Sequence, residues 1–373
     1  MTSSQDGGLE GRGRVQADRI FGLDFLRALA IGGVFLSHLH LVFWGGRSPL
    51  MALWGTLGVE LFFVLSGYLI GGLLLDIAEQ RPSVRAYGVF MLRRWMRTLP
   101  LYYLWLAVLA LCAGLPHTVH WPWYFLTLTQ NFAWPMTAPW FQVSWSLMVE
   151  EWFYLLFAAV LLGLARMVRI RWALLASCFI FMSVPLVARW MEADSGINWD
   201  ADIRKIVMLR LDAIAYGVAA IWWVRDRRRY RAVRTMLALA AGIALLGFTA
   251  WSCLQSASYE SRLWRAGFFC AATTGFALCF PAAIRLKFRS RSVEGIVRWI
   301  SERSYGIYIV HLEVLELARH AVLSNLVGPR AGIVLAATAT LALAALSYRW
   351  IEKPILSRRP PQHPCARPVE AMV

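Results

Sequence analysis

The sequence predicts an all-α integral membrane protein with about ten transmembrane helices and both ends in the cytoplasm. Three observations lead there. Hydrophobic residues make up 59% of the 373 residues and charged residues 16%, against roughly 45–50% and about 25% in an ordinary soluble domain. The apolar residues fall in blocks of about twenty, the length a helix needs to cross ~30 Å of hydrocarbon at ~1.5 Å per residue. The positive charge alternates from loop to loop. Twenty-seven of the 38 Lys and Arg lie in the N-terminal tail and in loops 76–97, 166–171, 225–234, 285–303 and 351–373. The intervening loops 45–50, 115–144, 190–204, 255–265 and 322–330 hold five together. The positive-inside rule puts the basic set in the cytoplasm, which requires an even number of spans. The net charge of +16 is thereby explained without nucleic acid. Runs such as Arg225, Arg227, Arg228, Arg229 and Arg231 read as topology determinants and lipid-headgroup contacts.

Residues 1–20 carry almost nothing apolar and are expected to be a disordered cytoplasmic tail. The membrane domain is expected over 21–356, with a short cytoplasmic tail at 357–373. The first span, 24–44, has no small-residue cleavage site and carries Asp24, Arg27 and His38, so it is not read as a signal peptide. His38 follows Arg27 by eleven residues, three turns plus about 20°, so the two share a helix face some 16 Å apart along the axis. A lone His in a span is usually a packing residue; the aligned Arg makes it a candidate proton carrier, because its pKa lies near neutrality. His40 faces elsewhere and reads as interfacial. The second span, 51–75, contains Glu60, which must be paired, protonated or open to a water-filled cavity. Its Ser66-Gly67 step allows close backbone approach, for helix packing or for passage of a substrate.

Before the third span, 98–114, Arg94 and Arg97 meet on one face of a helix. They suit phosphate binding, or serve as further topology charges. The Trp- and Pro-rich stretch 115–144 re-enters the membrane or lies along its surface. The fourth span, 145–165, opens with Glu150 and Glu151, which point to different faces, so that one is solvated while the other turns inward. Spans follow at 171–190, 205–224, 233–254, 262–283, 303–325 and 330–350. Arg210 and Asp212 fall in the sixth and Ser304, Tyr305, Tyr308 and His311 on one side of the ninth. Glu352 follows the tenth. For Arg210, Asp212 and Glu352, ion pairs that hold helices together are expected. Cys112, Cys178, Cys253, Cys270, Cys279 and Cys365 show no CxxC spacing, so neither a metal site nor a disulfide framework is expected.

From about residue 20 to 358 the chain resembles the acyltransferase-3 family of bacterial membrane O-acyltransferases. The resemblance is carried by Leu23-Asp24-Phe25-Leu26-Arg27-Ala28 with His38, by FFVLSGYLI, by R-R-x-x-R before Pro100, and by WSLMVEEWFYL. Arg210-Leu211-Asp212-Ala213, SYGIYIVH and Glu352-Lys353-Pro354 complete the ordered set. It implies transfer of an acyl group, acetyl being the expected case, from cytoplasmic acyl-CoA to a hydroxyl of an envelope or exported glycan, in the bacterial inner membrane. It implies Arg27 and His38 as the catalytic pair, with His38 the general base, and Arg94 and Arg97 as contacts to the donor's phosphates. Glu60, Ser66, Glu150, Glu151, Tyr305, His311 and Glu352 are expected to support substrate or structure. Acyl-CoA is a substrate, and no permanently bound cofactor is implied. Phe25 stands where Gly is frequent in the family, with an expected effect on packing or acceptor fit. The rival class is a glycan or lipid-precursor transporter, for which intramembrane charges are equally natural. No paired broken helices or repeated halves are visible in the sequence to favour it.

Overall fold

The computed structural model describes residues 20–45, 48–80, 82–112, 123–136, 140–194, 196–225, 232–288 and 290–361. The expected tails 1–19 and 362–373, Arg227 to Arg231 and Cys365 lie outside them. Ten long helices take up the ten predicted segments: α1 Phe21–Trp44, α2 Pro49–Gln80, α3 Val84–Cys112, then, after the single turn α4 Trp123–Leu126, α5 Ser144–Leu164 and α6 Ile170–Glu192. They continue as α7 Asp212–Arg225, α8 Ala232–Cys253, α9 Arg262–Ala283, α10 Arg291–Leu323 and α11 Pro329–Ser347, and a last turn, α12 Lys353–Ser357, closes the described chain. No strand occurs among the described residues.

Eight of these segments are long and apolar enough to cross a membrane: α1, α2, α3, α5, α6, α8, α9 and the stretch Pro329–Ser357 that contains α11 and α12. Their outward residues, such as Phe179, Val187, Met236, Leu237, Phe248 and Val334, are exposed and apolar, as expected where the surrounding medium is lipid. The protein is thus a multi-pass membrane protein. α7 and α10 fall short of the criterion for different reasons. α10 is long but studded with charge. α7 spans 14 residues, about 21 Å of helix. The sixth expected span, 205–224, is helical only from Asp212; the residues before it form an irregular segment.

That segment is buried in protein, where non-helical backbone at membrane depth is tolerated because other groups satisfy it. The N–H groups of Val207 and Met208 donate to the carbonyls of Asn131 and Phe132 at 2.9 and 3.1 Å. The Arg189 guanidinium donates to the Leu209 carbonyl. Asn131 Nδ2 in turn donates to the carbonyls of Trp145 (3.1 Å) and Lys205 (2.6 Å). The described part of the Trp- and Pro-rich stretch is therefore folded against α5 and the irregular segment, with Phe125, Gln130, Asn131, Trp140 and Phe141 buried.

Helix packing follows the small residues. α2 lies between α1 and α7, and α1 between α2 and α10. A Cβ on Gly67 would overlap the Ile214 carbonyl, and one on Gly217 the Val64 carbonyl. These two glycines let α2 and α7 approach backbone to backbone. Two buried ion pairs join the helices around them. Arg210 Nη2 donates to both oxygens of Glu60 at 2.7 and 2.6 Å, and its guanidinium lies 3.5 Å from the Phe269 ring centre. Arg189 grips Asp212 in a two-pronged contact at 2.9 and 2.7 Å. The pairing expected for Arg210 and Asp212 is present, each with a partner on another segment. That expected for Glu352 is not. Its carboxylate is buried, Oε1 has no hydrogen-bond partner, and no ion pair reaches it among the described residues. The π-helical turn Tyr348–Glu352 packs against α3, which leaves the carboxylate within the field of Arg97 and Arg303 without an ion pair to either.

Candidate active site

Two cavities enter the bundle from opposite ends. One, of about 300 Å³, is lined at its mouth by Arg94 and Arg97 of α3 and deeper by Arg27, Ser66, Ser146, Glu150, Tyr154 and Tyr305. The other, of about 660 Å³, opens where α1 ends and α2 begins, and is lined by His38, His40, Trp145, Trp199, Asp200, Arg204 and Lys205. Val59 and Tyr308 line both. The two spaces therefore approach each other on either side of Val59 and Tyr308, and His38 lines the larger one.

His38 is half-buried and reaches His311 of α10, Nδ1 to Nε2, at 2.7 Å. His311 Nδ1 lies 2.8 Å from the Tyr308 carbonyl and 3.1 Å from that of Ile307. Carbonyls only accept, so His311 Nδ1 carries the proton and Nε2 is left with a lone pair. His38 must then donate from its own Nδ1. The nitrogen of His38 that remains basic is Nε2, on the side chain that lines the larger cavity. α10 thus sets the tautomer of a residue on α1, in the way an orienting group sets a catalytic histidine. Next to this pair, Ser146 Oγ and Tyr308 Oη are 2.6 Å apart, and the Tyr308 hydroxyl donates to the Val143 carbonyl at 3.1 Å.

Arg27 sits on the smaller cavity and is held by the same helix that holds His38. Its Nη1 donates to Ser301 Oγ at 3.3 Å, and Ser301 donates to Asp24 Oδ1 at 2.5 Å. The two motif residues of α1 are therefore both registered against α10, three helical turns apart. Ser66 bonds the Tyr154 hydroxyl, which donates to Glu150 Oε2 at 3.0 Å. Gly67 packs closely on α7, as helix packing at the Ser66-Gly67 step required, while Ser66 lines the smaller cavity.

The acids of α5 point to different faces: Glu150 is partly exposed and lines the smaller cavity, and Glu151 is buried, accepting from Thr98 Oγ1 at 2.6 Å. Tyr305 caps the Thr98 carbonyl. Glu60 is sealed on Arg210, and it lines neither cavity. Phe25 is half exposed beside Phe21, and it too lies off both cavities. The larger cavity has a charged rim that motif spacing did not reveal. Arg204 and Lys205 both reach Asp200, at 2.6 and 2.7 Å, and Arg204 lies over the Trp145 ring at 5.0 Å. Burial pushes the Asp200 carboxyl up, but the two cations outweigh it and hold it below the usual carboxylate range. Asn198 caps the turn that presents Asp200, accepting from the N–H groups of Asp200 and Ala201.

Residues 20–349 match the acyltransferase-3 family, described as an acyltransferase domain. The chain belongs to that family. Peptidoglycan O-acetyltransferase OatA of Listeria monocytogenes is 28% identical over 365 residues, covering 89% of this chain and 55% of that protein. YrhL of Bacillus subtilis, provisionally named a peptidoglycan O-acetyltransferase, is 30% identical over 366 residues, 90% of this chain and 54% of that protein. A provisionally named O-acetyltransferase of Staphylococcus aureus is 26% identical over 359 residues, 89% of this chain and 56% of that protein. The chain spans about half the length of these relatives. No solved structure matches it. The family match covers α1 to α11 and so includes both cavities and every candidate side chain except Glu352.

Proposed function

We propose that this protein is a membrane O-acyltransferase that moves an acetyl group from acetyl-CoA to a glycan hydroxyl, with His38 as general base. The observation that carries this reading is a histidine whose tautomer is imposed, on the larger of two cavities that share Val59 and Tyr308 as lining. In this reading ten helices cross the inner membrane, α7 and α10 included. The alternating charge puts the Arg94–Arg97 end in the cytoplasm, where acyl-CoA is available. The donor enters there with its phosphates on Arg94 and Arg97 and its thioester extended along Ser66 and Ser146 toward Tyr308. The acceptor occupies the larger cavity, whose Trp145, Trp199 and Tyr259 offer the aromatic faces that sugar rings favour.

His38 Nε2 takes the proton of the acceptor hydroxyl while its oxygen attacks the thioester carbonyl. The Ser146 hydroxyl, turned from Tyr308 Oη toward the donor's carbonyl, stabilises the developing oxyanion, while Tyr308 stays bonded to the Val143 carbonyl. Collapse of that oxyanion expels the thiolate of CoA, which recovers the proton from the His38 imidazolium. Arg27 supplies a fixed positive charge toward the donor and transfers no proton. The glycan acceptor is supported by the names of the relatives, two of which refer to peptidoglycan. Thiol release from acetyl-CoA by purified protein in the presence of peptidoglycan fragments tests the reading. His38→Ala is expected to abolish the release and to remove base-labile acetyl groups from envelope glycans. Retention of full transfer by His38→Ala overturns His38 as the base, and absence of any thiol release by the wild type favours a transporter instead.

A further inference from the structure

The end of the bundle that carries Arg94 and Arg97 holds a third arginine that no motif marks. After α12 the chain folds back on α3, where the Arg93 guanidinium donates to the Pro360 carbonyl. This fastens the segment and places Arg359 within the field of Arg93, Arg94 and Arg97. Among the described residues, no carboxylate lies within ion-pair distance of Arg94, Arg97 or Arg359. Nε and Nη2 of Arg359 and Nε of Arg94 are buried without any hydrogen-bond partner. Buried guanidinium N–H groups are costly when unmatched. Burial first, and then the charges of Arg94, Arg97 and Arg93, push Arg359 down to about 9, which leaves it protonated at neutral pH. An anion at this point relieves both the unmatched donors and the repulsion.

We infer that Arg359 completes the donor site by binding the 3′-phosphate of coenzyme A, while Arg94 and Arg97 hold the diphosphate. This inference rests on the donor reading given above. The order follows from position. Arg94 and Arg97 line the smaller cavity, whereas Arg359 does not line it and lies near Arg93, Arg94 and Arg97 on the segment fastened to Arg93. In coenzyme A the diphosphate likewise lies between the thiol arm and the 3′-phosphoadenosine. The planar fork of an arginine with two open N–H groups suits a phosphate monoester dianion. An anionic lipid headgroup offers the same chemistry, so the test must separate the two sources.

The test titrates CoA and dephospho-CoA into the purified protein in phosphatidylcholine nanodiscs and repeats both with phosphatidylglycerol. The wild type is expected to prefer CoA over dephospho-CoA by about 10- to 100-fold, the range for losing a charge-assisted contact. Arg359→Gln is expected to erase that preference while leaving dephospho-CoA binding unchanged, and Arg359→Lys to restore part of it. Full preference in Arg359→Gln overturns the inference. Equal weakening of both ligands also overturns it, because the segment then acts only on the fold. A difference confined to phosphatidylglycerol discs assigns the arginine to lipid and overturns it as well. If the wild type binds neither ligand, the donor reading itself fails and takes this assignment with it.

Discussion

At the scale of single residues, the feature that matters most is a proton position. The carbonyls of Ile307 and Tyr308 oblige His311 to donate from Nδ1, and that obliges His38 to present Nε2 to the cavity. His311→Phe keeps a ring in place but removes the acceptor that orients His38. It is expected to lower kcat by about 10²-fold or more with little change in KM for acetyl-CoA, and to shift the pH–rate profile, which a packing role alone would not do. Steady-state kinetics across pH check this. Asp200 gives a second prediction, with its sign set by the two cations beside it. Its pKa is lower folded than unfolded. Its ion pairs therefore contribute fully above the unfolded value of about 3.9, and the contribution falls as pH drops toward the folded value. Asp200→Asn is accordingly expected to weaken acceptor use by the same factor from about pH 5 to pH 8, as acceptor KM values measured at several pH values would reveal. The Arg27–His38 spacing was legible in the sequence because helix periodicity alone puts both on one face. The Asp200, Arg204 and Trp145 rim was not, because Trp145 comes from another segment and no local period joins it to the Asp200–Arg204 turn.

At the scale of elements, the polar residues inside apolar segments act as fasteners. Glu60 and Arg210 are both fully buried, so removing one leaves the other uncompensated. Glu60→Gln or Arg210→Met alone is expected to destabilise the protein by about 3–5 kcal/mol, and the double replacement to recover most of that loss. Thermal unfolding in detergent, followed for the two single variants and the double, reads this out. The α2–α7 crossing makes a steric prediction. Gly67→Leu puts a side chain where the Ile214 carbonyl lies and is expected to abolish stable expression. Gly88→Leu meets nothing within 4 Å and is expected to be tolerated. Hydropathy alone placed nine of the expected spans on helices, although α3 and α10 begin well before the apolar stretches that marked them, at Val84 rather than 98 and at Arg291 rather than 303. The sixth did not follow: its first residues are apolar enough to continue a helix, yet their backbone bonds to Asn131 and Phe132 instead. A distant asparagine on a loop is not visible in local periodicity.

At the scale of the whole molecule, the proposed reaction depends on access from two sides. In that proposal donor and acceptor use separate cavities, each lined by residues of α1, α2, α5 and α10. Cysteines placed at Arg97 and at Ser48, one at each mouth, are expected to label from opposite faces of intact spheroplasts with membrane-impermeant maleimide. Labelling of both from the same face contradicts the two-sided arrangement. The alternating loop charge implies the expected orientation that this labelling checks, since it is a property of composition summed over loops and needs no contact map.

The sequence by itself determined the class of protein, the positions of its apolar segments and the face shared by Arg27 and His38, and it implied an orientation. All of these depend on local length, period and charge. Only the tertiary structure decided that α10 supplies the partner of both residues, that Glu60 and Asp212 are closed on arginines from other segments, and that Glu151 is buried on Thr98 while Glu150 lines a cavity. It also brought Arg359 to Arg94 and Arg97. These are pairings between residues tens to hundreds of positions apart, and they form because a buried charge or N–H group left without a partner is costly wherever the packing puts it.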